Sequence, residues 1–237
     1  MCTVSFVNQN DTIIITSNRD EQILRPNAVA PEFYTIENKK VLFPKDAKAG
    51  GTWFAVTESG NIIVLLNGAK EKHQFKTNFY QKSRGLIVLD LISTNNILEA
   101  WDKINLEKVE PFTLVVYENQ LLFQLQWNEI EKDILKLDIS KKHIWSSSTL
   151  YPKEIREQRS HWFYDFIKDK EFISEVDLYD FHYNTETDNS ENGLVINRNN
   201  ILKTISISQV IIQDGKAIFN YNDLISNKNF TNSFQII

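Results

Sequence analysis

An α+β fold, with two mainly antiparallel sheets between helical layers, is predicted by three observations. Runs of strand-like segments are separated from runs of helix-like ones, in the order strands, helices, strands, helix, strands. Short turn sequences recur between β-branched runs at hairpin spacing. The 237 residues are 42% hydrophobic and 24% charged, enough to bury one large core. A single domain over residues 1–237 is therefore expected.

The opening reads as a hairpin. Residues 2–7 and 12–16 are rich in Val, Ile, Thr and Phe and flank the turn Asn8-Gln9-Asn10-Asp11. Ser17-Asn18-Arg19-Asp20-Glu21 then breaks the pattern at a strand end. Pro26, Pro31 and Pro44 mark a loop, and Gly50-Gly51 leads into a strand over 52–56. Glu58-Ser59-Gly60-Asn61 turns that strand into another over 62–66. Helices follow over 83–93 and 96–104. A second group of strands occupies 112–117 and 121–127, and segments 135–139 and 143–147 extend it. Residues 153–172 carry Ile155, Trp162, Phe163, Phe166 and Ile167 on one helical stripe. A polar loop over 184–192 precedes two closing strands, 201–212 and 216–221, joined at Asp214-Gly215.

A net charge of -5 offers no overall basic excess for nucleic acid. The single cysteine permits no internal disulfide and fits a reducing compartment. The N-terminus lacks the pattern of a secretory signal, and no apolar run nears the ~18 residues of a membrane helix. A cytoplasmic protein with no membrane span is expected. His73, His143, His161 and His182 share no metal-binding spacing, and no nucleotide or dinucleotide fingerprint occurs, so neither metal nor cofactor is expected. His182 is read as a surface residue, with the wall of a pocket as the other reading. Trp127, Trp145 and Trp162 are read as core.

Cys2 follows the initiator methionine, which aminopeptidases remove before a small residue. The processed chain would then begin with a thiol and a free α-amine, of ordinary pKa about 8.5 and about 7.7–8.0. One residue would supply both nucleophile and base. The other reading of Cys2 is a small buried apolar residue. If the first hairpin pairs as expected, Asn18, Arg19, Asp20 and Glu21 lie close to the chain start. A carboxylate there can orient the amine, and an arginine can pair with that carboxylate or hold substrate charge. The alternative is a solvated turn.

Cys2 followed by Asn18-Arg19-Asp20-Glu21 resembles the NRDE family, also called the transport and Golgi organization protein 2 family. Gly50-Gly51-Thr52-Trp53, Asn67 at a strand end, Ser83-Arg84-Gly85 at a helix start and Pro111-Phe112 match in order. That family is similar to the cysteine N-terminal nucleophile hydrolases, including choloylglycine hydrolases and penicillin V acylases. The resemblance implies an αββα sandwich and cleavage of a non-peptide C–N amide bond. It implies Cys2 as nucleophile, Asp20 as partner of its amine and Asn67 as oxyanion donor; Asn67-Gly68 also reads as a turn. It places Asn18 and Asp20 at the last two fixed positions of the hydrolase branch's pattern, with Arg19 between them, and Ser17 where that pattern carries arginine. It aligns Ser148 with a second asparagine and Ile205 with a late arginine. Gly51 and Trp53 are read either as walls of a substrate pocket or as tight turn packing. A second function fits the same resemblance: a carrier of an apolar ligand such as haem, a lipid or an acyl-CoA. Oligomeric state is not specified.

Overall fold

The computed structural model describes residues 3–237. Met1 and Cys2, and with them the expectations for Cys2, lie outside the described residues. In chain order the elements begin with β1 (Thr3–Gln9), β2 (Thr12–Gln22), β3 (Val29–Ile36), β4 (Lys39–Lys45), β5 (Phe54–Thr57) and β6 (Ile62–Asn67). Helices α1 (Arg84–Ile92) and α2 (Ile97–Lys103) follow, then β7 (Phe112–Glu118), β8 (Leu121–Trp127), β9 (Lys132–Leu137) and β10 (His143–Ser146). Helices α3 (Lys153–Ile167) and α4 (Glu175–Asn184) precede β11 (Asn197–Arg198), β12 (Leu202–Gln213), β13 (Lys216–Asp223) and β14 (Lys228–Gln235).

The chain divides into two compact units, one of Met1–Arg25 with Ile139–Gln235, the other of Pro26–Asp138 with Ile236–Ile237. The first holds a seven-stranded antiparallel sheet in the order β10-β1-β2-β12-β13-β14, with β11 paired to β12. Helix α3 packs against β10, and α4 packs against β2 and β12. Val7, Ile14 and Ile211 pair in one row across three strands and bury against Phe163, Leu178 and Phe181 of the helices. Each such side chain contributes about 1.5–3 kcal/mol by leaving water. Because strand side chains alternate, Thr16, Asn18 and Asp20 continue the face that Ile14 begins.

The second unit holds a seven-stranded antiparallel meander, β3 through β9 in sequence order. Helix α1 packs on β5 and β6. Trp101 of α2 is fully buried, edge-on to Phe112 with ring centroids 5.8 Å apart.

Tight hairpins close where two consecutive residues take positive φ: Asn10 and Asp11, Asn119 and Gln120, Asp214 and Gly215. Asn, Asp and Gly tolerate this left-handed backbone, which suits the twist of paired strands.

Several expectations need correction. The proline-marked loop is in fact β3 and β4, joined by Glu37 and Asn38, both with positive φ. Pro31 lies on the edge strand at an irregularity, and Pro44 lies beyond the residues of β4 that pair with β5, so neither removes a needed donor. Segment 17–21 does not end a strand: β2 runs on to Gln22, with Ser17 through Asp20 buried. His143–Ser146 does not extend the β7–β8 group but pairs with β1 in the other sheet. The helix expected over 153–172 stops at Ile167, and α4 and β14 fall where no element was expected.

Candidate functional site

Strand β1 lies between β10 and β2, so Thr3 faces Ser146 on one side and Asn18 on the other. Asn18, Arg19 and Asp20 sit in β2, and Ser148 lies two residues beyond the end of β10 and is buried. The structure therefore brings Asn18, Arg19, Asp20 and Ser148 into one unit, around the first described residue of β1.

Asp20 is 3% exposed. Its Oδ2 accepts the Tyr151 hydroxyl at 2.6 Å, and its Oδ1 accepts the Thr204 hydroxyl at 2.6 Å. Thr204 in turn accepts the backbone N–H of Ile196 at 2.9 Å. Short bonds to a charged acceptor are the strong class, and two of them fix the plane of the carboxylate. Thr204 reaches Asp20 because it pairs with it across the sheet just before a β-bulge. The extra residue of that bulge is Ile205, the position aligned with a late arginine.

Asn18 is fully buried and uses both ends of its amide. Its Nδ2 donates to the carbonyls of Leu194 at 2.7 Å and His182 at 3.0 Å, and its Oδ1 bonds the His182 ring at Nδ1. With the amide nitrogen committed to carbonyls, Nδ1 must be the imidazole donor, and Nε2 accepts the Ser5 hydroxyl at 2.8 Å. His182 is thus neutral, and its pKa is pushed down to about 3, first by burial and second by the Arg159 charge. It is fully buried, which corrects the surface reading. Helix α4 carries Leu178, Phe181 and His182 on its inner face, and a capping box between Ser174 and Asp177 starts that helix.

Arg19 alternates to the opposite face of β2, where its Nη2 lies 3.8 Å from Glu21 Oε2. Glu21 also lies 3.5 Å from Arg25. The solvated-turn reading fails for Asn18, Arg19 and Asp20, all of which are buried.

Asn67, Gly51 and Trp53 belong to the other unit. Asn67 ends β6 opposite Phe112 and is half-buried. Gly68 beyond it has φ 83°, donates to the Pro111 carbonyl at 3.0 Å and accepts the Thr113 hydroxyl at 2.9 Å. The turn reading of Asn67-Gly68 accounts for that left-handed glycine. Gly51 packs on the first turn of α1: a Cβ there would lie 2.3 Å from the Gly85 carbonyl carbon. The Thr52 N–H donates to the Gly85 carbonyl at 3.1 Å. The Gly-Gly-Thr-Trp block and the Ser-Arg-Gly element are therefore two halves of one backbone contact. Tight packing accounts for Gly51, and Trp53 is 3% exposed.

Tyr151, Arg159, Thr204 and His182 escaped the sequence reading as site residues. Arg159 had a signal: a charged residue midway between Ile155 and Phe163 on an apolar stripe. Thr204 had none, because a bulge sets its reach. Among the described residues no cluster of histidine, cysteine and carboxylate side chains could hold a metal ion. Among the described residues no helix is long and apolar enough to cross a membrane.

A cysteine-to-alanine mutant of the conjugated bile acid hydrolase from Clostridium perfringens matches with a TM-score of 0.66 at 11% identity, covering 100% of this chain and 92% of that one. The N-acylethanolamine-hydrolyzing acid amidase ortholog of Caenorhabditis elegans matches with a TM-score of 0.62 at 12% identity, covering 88% of this chain and 92% of that one. Both are N-terminal nucleophile hydrolases, so the expected α+β layered fold of that type is the fold of this chain. No curated protein matches it. The family model for Transport and Golgi organisation 2 matches residues 1–219, and the chain belongs to that family.

Proposed function

We propose that this protein is an amidohydrolase of the N-terminal nucleophile type, acting on a non-peptide C–N amide bond through Cys2. One observation carries the reading: a buried carboxylate, Asp20, is held by two hydroxyls in the strand paired with β1, two residues beyond the partner of Thr3. Thr3 is joined to Cys2 by a single peptide bond. A fixed carboxylate suits an α-ammonium better than a mobile one, because no reorganisation is needed as the proton moves.

The chemistry runs in two halves. The Cys2 thiolate attacks the acyl carbon, the C–N bond breaks, and the amine leaves with a proton from the α-ammonium. Water then gives a proton to the α-amine and attacks the thioester, which releases a carboxylic acid and restores the thiolate and the α-ammonium. Asp20 orients the nitrogen through both halves. Asn67 and Ser148 are proposed as oxyanion donors on the resemblance.

Intact-mass measurement tests the first requirement: the purified chain should lack Met1. Incubation with penicillin V, an activated cyclic amide, should then add one acyl mass to wild type and none to Cys2→Ala. Retention of Met1, or equal labelling of both chains, overturns the proposal. Unchanged saturable binding of haem or a fatty acid by the alanine variant, with no acyl adduct on wild type, would instead identify a carrier.

A further inference from the structure

Arg159 is a fully buried cation whose hydrogen bonds, among the described residues, all go to neutral groups. Its Nη1 donates to Thr3 Oγ1 at 2.6 Å, its Nε to the Asn192 carbonyl at 3.2 Å, and its Nη2 to the Gly193 carbonyl. Taking a guanidinium out of water without an opposing charge costs several kcal/mol, so its charge must be met by another route. That route is the Tyr151 ring. The guanidinium carbon lies 3.5 Å from the ring centroid, and the ring is fully buried. Arg198 is farther from the same ring, at 5.1 Å, and has a carboxylate of its own, Glu191, at 3.7 Å.

The Tyr151 hydroxyl donates to Asp20. Arg159 and Asp20 are thus a cation and an anion separated by one phenol. A cation on the ring face draws electron density from the phenol and strengthens its O–H as a donor. The carboxylate pushes density back into the ring and strengthens its hold on the cation. Each end supports the other.

We propose that Arg159, Tyr151 and Asp20 form a relay in which the buried cation fixes the orientation of the Asp20 carboxylate through the tyrosine ring. The same guanidinium grips Thr3, so one side chain sets both the start of β1 and the carboxylate beside it. Tyr151 and Arg159 are positioning residues; their use in catalysis rests on the amidohydrolase reading, whereas the relay itself does not.

A double-mutant cycle tests the relay without any activity. Asp20→Asn and Arg159→Met are combined in the wild-type background and again alongside Tyr151→Phe, and urea midpoints are measured. The two substitutions should be non-additive when the phenol is present and additive when it is absent. Additivity in both backgrounds, or equal coupling in both, overturns the relay. Tyr151→Phe keeps the ring and loses only the hydroxyl, so it provides a second arm if Arg159→Met does not fold. Acylation of Cys2 by p-nitrophenyl acetate, followed by intact mass, should slow at least tenfold in Tyr151→Phe. A Tyr151→Phe chain acylated at the wild-type rate overturns the positioning role. A wild-type chain that is never acylated defeats the amidohydrolase reading, and the denaturation cycle still decides the relay.

Discussion

The two units bury their polar groups with a different balance of side chain and backbone. The unit containing β1 and β2 does it with side chains: Asn18, Asp20, Arg159, His182 and Thr204 are 4% exposed or less and bond to one another, to Tyr151 and to the carbonyls of residues 192–194. The unit containing β5 and β6 combines shorter side-chain links with close backbone approach: Gly51 meets Gly85, Thr52 donates to Gly85, Gly68 donates to Pro111, and Thr113 joins Gly68 to Gln126. A backbone contact needs only that side chains be absent. A side-chain network needs each partner in place, and well-packed apolar residues often do as well or better for stability. Such a network is where orientation is specified, and here it surrounds Asp20.

The sharpest way to break this contrast is Gly51→Ala. If the second unit depends on close backbone approach, a methyl 2.3 Å from the Gly85 carbonyl carbon forces β5 and α1 apart. The expected cost is about 3 kcal/mol or more, read from the urea midpoint. A loss below about 1 kcal/mol would show that the contact yields easily and that close backbone approach does not set the second unit apart.

A smaller effect separates the units by pH. His182 is held neutral, with its pKa pushed down to about 3 from 6.5, first by burial. The unfolded chain binds a proton at this residue below pH 6.5, and the folded chain does not until about pH 3. Stability from this residue is therefore complete above pH 6.5, falls as pH drops through that window, and levels off below about 3. At pH 5 the loss is about 2 kcal/mol. Comparing wild type with His182→Gln at pH 7.5 and pH 5.0 isolates it. Asp177, held down to about 2 first by Lys170 and then by Ser174, loses its contribution only between 3.8 and 2 and leaves this interval clear. Equal pH dependence in both chains would mean that burial does not hold the imidazole neutral.

How far the sequence disclosed all this depends on whether a signal is local. The hairpins at Asn10-Asp11, Asn119-Gln120 and Asp214-Gly215 were legible because two adjacent residues must accept positive φ. Strands β3 and β4 were not, because proline is a breaker only where its missing N–H is wanted. Strand β14 was hidden by Asn229, Thr231 and Ser233 on its outward positions. Helix α4 had a legible start in Ser174 and Asp177, but its buried His182 looked like a surface residue until Asn18 was seen beside it. Hairpin logic points to Asn18 lying beside the start of β1, where it pairs with Thr3, whereas Ser148 rests on resemblance alone. Tyr151 and Thr204 could not be placed, since 131 and 184 residues separate them from the carboxylate they hold.

The mildest test asks how much the second unit's side-chain network is worth. Thr113 is the obvious candidate: its hydroxyl donates to the Gly68 carbonyl at 2.9 Å and accepts from Gln126 Nε2 at 3.0 Å. Both partners are neutral, and Gly68 stays anchored through its own N–H to Pro111. Valine keeps the shape and the β-branched fit to β7 while removing the hydroxyl. Thr113→Val should cost about 1 kcal/mol in the urea midpoint, the ordinary worth of neutral hydrogen bonds. A cost above about 3 kcal/mol would mean that the hydroxyl organises its surroundings as the groups around Asp20 do, and polar side chains would then be structural keystones in both units rather than the mark of one.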